Sequence, residues 1–191
     1  MYKFMLGFSR FMTMLGGLVL VALIVLTVLS IAGRLLNGWA HGVLNWLLPD
    51  FASWLISVGV GPINGDFELV EAGIAFAVFA FLPLCQITAG HASVDIFASF
   101  LPRGANRFLR MAIEVVFALV LVVIAIQLYS GMIDKLKNGE TSFLLAYPVW
   151  WAYALSLFGA IGAAVVGVYM AIVRIIEFFS GRVIVADGSE V

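Results

Sequence analysis

The sequence predicts an all-α integral membrane protein with four transmembrane helices and interfacial helices between the first and the second. Three observations carry this. Hydrophobic residues make up 64% of the chain and charged residues 11%, whereas a soluble domain carries about 25% charge and about 45–50% apolar residues. The mean hydropathy of +1.14 is too high for a water-exposed surface. Four runs, 11–33, 72–94, 115–133 and 141–173, hold no Asp, Glu, Lys or Arg. Each is long enough to cross about 30 Å of hydrocarbon, which takes roughly 20 helical residues. The runs are too long and too little alternating for a barrel, and helices satisfy their own backbone groups in lipid.

The first helix is placed at 11–33, between Arg10 and Arg34. The second covers 66–90, with Asp66 as its expected N-cap and Glu68 and Glu71 in its first turns, where the helix dipole favours negative charge. Pro83 is expected to kink it. The third covers 106–132, entered by Arg107 and Arg110. The fourth covers 148–175, with Pro148 in its first turn, where proline is tolerated, and a tail at 176–191. The N-terminal apolar run is longer than a signal-peptide core and no small-residue cleavage site follows it, so it is read as a retained anchor.

Four spans put both termini and the loop after the second helix on one side. That side holds Lys3, Arg10, Arg103, Arg107, Arg110, Arg174 and Arg182, against Arg34, Lys135 and Lys137 on the other. The positive-inside rule then puts both termini in the cytoplasm.

The stretch 35–65 is apolar but broken by Pro49–Asp50 and by Gly59, Gly61 and Pro62. Each half is short for a span. Asn37, His41 and Asn45 recur every four residues, and Trp39, Trp46 and Trp54 prefer the membrane–water boundary. Helices lying in the outer interface are expected; a re-entrant hairpin is the alternative.

Chemistry-bearing groups are few. Ten Lys and Arg against eleven Asp and Glu give a net charge of −1, which excludes a basic nucleic-acid binder. One cysteine, Cys85, allows no internal disulfide. No metal-ligand spacing and no phosphate-cradling glycine loop occurs, so no catalytic, cofactor or metal residue is assigned. His41 and His91 read as boundary histidines. Glu114 lies four residues after Arg110 and is expected to pair with it; a proton relay is the alternative. Glu68 and Glu71 share a face near the outer boundary. On the fourth helix, Gly159, Ala163 and Gly167 form one small-residue stripe, and Ala152, Ser156, Ala160 and Ala164 form another. Small stripes let helices approach closely in lipid, so one is expected inside the bundle and one against a second subunit; packing wholly within the four-helix bundle is the alternative. Tyr147, Trp150, Trp151 and Tyr153 read as an aromatic belt.

Several of these residues stand in a known order. Arg34 closes the first helix. Glu68 opens the second and is followed by His91, Asp95 and Pro102 in GHASVDIFASFLP. Leu145, Pro148 and Trp150 open the last helix in TSFLLAYPVWW. In this the chain resembles, over roughly 10–178 apart from the interfacial stretch, the small membrane subunit of tripartite ATP-independent periplasmic (TRAP) transporters, the DctQ/SiaQ type. Thr88, Ala89 and Gly90 stand where that family often has basic residues, and 35–65 is longer than in many members.

The resemblance implies an accessory, non-enzymatic subunit of the bacterial inner membrane. It would scaffold a large membrane subunit that holds the substrate and sodium sites. A periplasmic substrate-binding protein would deliver an organic acid such as a dicarboxylate or sialic acid. Glu68, Asp134 and Glu140 would face basic residues of a partner. His91 and Asp95 would satisfy backbone groups at a helix end. The rival readings are a stand-alone proton-coupled exporter and a four-helix membrane enzyme.

Overall fold

The computed structural model describes residues 1–88 and 103–180. Among the described residues six helices follow one another: α1 (Tyr2–His41), α2 (Val43–Leu47), α3 (Pro49–Ser57), α4 (Asp66–Ile87), α5 (Arg103–Asn138) and α6 (Trp150–Ser180). Four of them, α1, α4, α5 and α6, are long and apolar enough to cross a membrane. The described residues form no strand, only an isolated bridge between Thr141 and Pro148.

The helices outrun the uncharged runs. α1 has 40 residues, about 60 Å at 1.5 Å per residue, twice the hydrocarbon thickness. A charge marks where lipid ends, and it does not stop a helix. Arg34 is followed by Leu35, Leu36, Asn37 and Trp39, and the helix breaks only at Gly42, whose N–H bonds the carbonyls of Gly38 and Trp39. Residues 35–41 therefore continue α1 and are not a separate interfacial helix. The same break takes Asn45 off the face shared by Asn37 and His41. Those two are joined within α1, where His41 Nδ1 donates to the Asn37 carbonyl at 3.0 Å. At the other end of the chain, α6 continues to Ser180, so 176–180 is helix and not tail.

Cross-helix contacts fix an up-down-up-down bundle. Gly16 of α1 meets Ala80 of α4, and Leu23 of α1 meets Gly73 of α4. Tyr153 of α6 meets Gly131 of α5, and Gly167 of α6 meets Leu121 and Ala118 of α5. One end thus collects the start of α1, the end of α4, the start of α5 and the end of α6. The opposite end collects their other termini.

α6 is the central helix. It packs against α5, α4 and α1, and two-thirds of its apolar stretch is buried. Small residues of both stripes are used there. Gly159 lies against Phe79 and the Ala80 backbone, Gly162 against Met12 and Phe8, and Gly167 against α5. Ala160, Ala163 and Ala164 are buried, and Ala163 and Ala164 pack with Leu121. Gly159, Ala163 and Gly167 are thus enclosed within the bundle, as are Ser156, Ala160 and Ala164 of the other stripe, while Ala152 is half-buried; this corrects the expectation that one stripe faces a second subunit. The reason is geometric: a helix in contact with three others needs small residues on more than one side. A Cβ at Gly159 would come within 2.8 Å of Phe79 Cβ and 3.3 Å of the Ala80 nitrogen. Gly159→Val should therefore destabilise the bundle by about 1–3 kcal/mol, read as a lower thermal midpoint in detergent. An unchanged midpoint would show that α4 and α6 are not packed this closely.

Candidate functional site

Polar groups gather at the two ends of the bundle. At one end, Gly65 precedes α4 with φ +78°, a left-handed conformation that glycine adopts without cost. A Cβ at Gly65 would also run into the Leu145 side chain, within 2.4 Å of its Cγ. Gly65 is therefore the N-cap residue. Asp66, expected to be the cap, is the first helical residue, and its carboxylate accepts the Phe67 N–H at 2.8 Å. The Ser30 hydroxyl of α1, fully buried, accepts the Ile63 N–H at 3.3 Å, and Ser30 together with the charge of Arg34 acts on the Asp66 carboxyl.

Glu68 is buried. Its carboxylate accepts the N–H of Leu144 at 2.7 Å and of Leu145 at 3.0 Å, and the Tyr147 hydroxyl donates to its carbonyl at 3.4 Å. An acidic residue in a helix's first turn here reaches across to hold another loop. That loop is the α5–α6 connection. It begins at Gly139, φ +63°, where Gly139 N–H bonds the Leu136 carbonyl and Glu140 N–H bonds the Lys135 carbonyl, the double bond pattern of a left-handed helix end. It closes with Ser142 N–H to the Tyr147 carbonyl at 2.8 Å and Val149 N–H to the Glu140 carbonyl at 3.0 Å. Pro148 lies in this closure and not in α6, which starts at Trp150, two residues later than expected. Trp150 meets Trp151 edge to face at 6.1 Å.

Glu140 is held within its own loop. Lys135 Nζ donates to it at 2.6 Å and Asn138 at 3.1 Å. Those two bonds hold its carboxyl below the ordinary value of 4.5. A lowered folded value means that the bonds stabilise the loop above the ordinary value and fade as pH falls through the folded one. A spin label at Phe143→Cys, in a Cys85→Ser background, should gain mobility as pH drops below 4.5; constant mobility would mean that the Lys135–Glu140 pair does not hold the loop.

Between α4, α5, α6 and this loop lies a cleft of about 460 Å³, lined by Glu71, Phe67, Phe143, Tyr147, Tyr153 and Ser156 among others. Glu71 is exposed on its rim. Burial, then the charges of Glu68 and Glu71, push the Tyr147 hydroxyl above its ordinary range.

The opposite end holds a buried polar cluster built by three helices. Gln86 of α4 donates its amide to the carboxylate of Glu114 on α5. The charge of Arg174 on α6 acts on the same carboxylate. Arg174 Nη1 also donates to Glu177 at 2.7 Å. Gln86, Glu114, Arg174 and Glu177 are all buried. The expected Arg110–Glu114 pair is replaced by this arrangement: Arg110 is exposed and its Nε donates to Asn106 at 3.4 Å, while Glu114 turns inward. Burying charges is costly unless they are paired and hydrogen-bonded; here Glu114 accepts from Gln86, and Arg174 donates to Glu177.

The structure thus joins Glu68 to the Leu145–Pro148–Trp150 element, places Arg34 beside Asp66, leaves Glu71 on the cleft rim, and encloses Gly159, Ala163 and Gly167 in the bundle. His91 and Asp95 lie outside the described residues. Of the acids expected to face a partner, Glu68 and Glu140 are occupied within the chain, and Asp134 is exposed. Among the described residues no three His, Cys, Asp or Glu side chains are grouped to hold a metal ion.

Sequence reasoning missed the Gln86–Glu114–Arg174–Glu177 cluster. The signal was present on α6, where Gly159, Ala163, Gly167, Met170, Arg174 and Glu177 recur every three or four residues. The buried face of the helix runs straight into its two charges.

Comparison with known proteins agrees with this architecture. No curated protein and no solved structure matches the chain. Among models of protein families, the one described as the DctQ component of tripartite ATP-independent periplasmic transporters matches residues 58–178. That range holds α4, α5 and most of α6, with Glu68 and the loop it caps; α1 and Arg34 precede it. A four-span bundle matched over most of its length in this way belongs to the DctQ family of TRAP transporter components.

Proposed function

We propose that the chain is the small accessory subunit of a secondary, sodium-coupled TRAP transporter for uptake of an organic acid, and that it scaffolds the large transport subunit. In this reading it has no enzymatic activity. It lies in the bacterial inner membrane with both termini in the cytoplasm, beside a large subunit that holds the sodium and substrate sites and is served by a periplasmic binding protein. One observation carries the reading: α6 fills the centre of the bundle, with Gly159, Gly162 and Gly167 in direct contact with α4, α1 and α5. This close packing supports contact surface, rather than an internal path, as the chain's contribution. The charge distribution supports the orientation, because Lys3, Arg10, Arg107, Arg110 and Arg174 share the end opposite Arg34, Lys135 and Lys137.

Buried Glu114 is the observation that favours the rival, a proton-coupled exporter, since intramembrane carboxylates mark ion pathways. Its partners Gln86 and Arg174 fit a structural role better. Affinity capture of the tagged chain from its native membrane tests the proposal. A much larger polytopic protein should be retained in fixed proportion through detergent washes. Recovery of the chain alone, folded and stable, would refute the scaffold role.

A further inference from the structure

Residues 35–57 form a finger that is built and not loose. The Gly61 carbonyl approaches Gly33 so closely that a Cβ at Gly33 would lie 2.2 Å from the oxygen. Ala40 of α1 and Ala52 of α3 are 1% and 0% exposed, so the last turns of α1 and the helices folded back on them pack through alanine. The rim of the finger is the reverse. Trp39, Trp46 and Trp54 are 61%, 84% and 55% exposed, and Phe51 stacks on Trp54 at 5.8 Å. Asp50 is the one acidic residue between 35 and 63, and that interval holds no Lys or Arg.

A contiguous apolar patch of this kind marks a lipid or protein contact. Continuity decides between them. Ile24, Val28, Ile31, Leu35 and Trp39 are all exposed at three- and four-residue spacing, so one unbroken apolar stripe runs from the uncharged part of α1 into the finger. Nothing in that stripe changes character where the finger begins. Trp is the side chain that partitions into the headgroup boundary. Arg34, alone in charge along 11–49, has a long stem that carries its guanidinium to the polar layer.

We propose that the finger inserts its aromatic rim into the headgroup–acyl boundary of the leaflet at the Glu68 end, as a half-anchor added to the four spans. The finger precedes the matched residues 58–178, and the proposal stands apart from the transporter reading. Its base is tied to the segment just before α4 through the Ser30–Ile63 hydrogen bond and the close approach of Gly33 and Gly61, so the depth of the finger bears on the height at which α4 begins.

The test is a full-length chain with Trp46 as its single tryptophan, the other four changed to Phe, in phosphatidylcholine vesicles. Lipids brominated near the carbonyl end of the acyl chain should quench its emission by about half, and iodide should quench it at least about fivefold less than a free tryptophan amide. Iodide quenching close to that of the free amide would overturn the proposal. So would shielding that develops only when a large subunit or binding protein is added, which would make the rim a protein contact. A second readout covers a chain destabilised by four substitutions. Trp46→Cys with Cys85→Ser should react with a membrane-impermeant maleimide about tenfold more slowly than Lys137→Cys at the same end, and equal rates would overturn the proposal.

Discussion

Arg174→Met should lower the stability of the bundle by about 3–5 kcal/mol, the cost of leaving buried carboxylates without their counter-charge. Arg174 acts on Glu114 across the α5–α6 contact and bonds Glu177 one turn along α6. Without it, one end of the bundle holds two buried carboxylates and the Gln86 amide. The expected result in detergent is a lower thermal midpoint and reduced recovery of monodisperse protein. Changing Glu114→Gln, Arg174→Met and Glu177→Met together should restore most of the loss, because a buried ion group replaced whole by uncharged residues of similar volume is often neutral. A single variant as stable as the parent would mean that Arg174 is satisfied by solvent and not by these partners.

Glu68→Ala should be the second large effect, at the other end. The carboxylate takes two backbone N–H groups of the α5–α6 loop, and hydrogen bonds to a charged group contribute about 1.5–3 kcal/mol each. Removing it leaves the Leu144 and Leu145 amides without their acceptor and releases the loop from α4. Hydrogen exchange at those two amides should accelerate at least about tenfold, since every 1.4 kcal/mol is a factor of ten. Glu68→Gln, which keeps one acceptor oxygen, should fall between. Unchanged exchange in Glu68→Ala would show that the loop is held by Leu145 against Gly65 and by its own closure.

The two results would explain why the order of residues was readable while their roles were not. Charge-free runs reveal spans because the cost of a charge in lipid is large and local, so all four membrane-capable helices were legible. Helix ends were less so. Arg34 closes a lipid span, yet nothing at Leu35 or Leu36 stops the backbone, and α1 runs to Gly42. Glu68 and Leu145–Pro148–Trp150 were visible as two separate elements. Their joining was not, because a carboxylate bonding backbone N–H groups 76 and 77 residues away leaves no pattern in side-chain types. Glu114 was assigned to Arg110 by helical spacing, which counts neighbours on one helix and is blind to Gln86 and Arg174 on others. The small stripes of α6 predicted close approach correctly but not which neighbour would approach, since Gly159 and Gly167 look alike in sequence and meet α4 and α5 respectively.

Reconstituted transport bears most directly on the scaffold reading. The chain alone, the large membrane subunit alone, and the two together are each placed in sodium-loaded or sodium-free liposomes with the binding protein and its labelled organic acid outside. Sodium-dependent uptake should require both membrane chains, and the chain alone should leave the solute outside under every gradient, proton gradients included. Solute accumulating in vesicles that contain only this four-helix bundle would contradict the account.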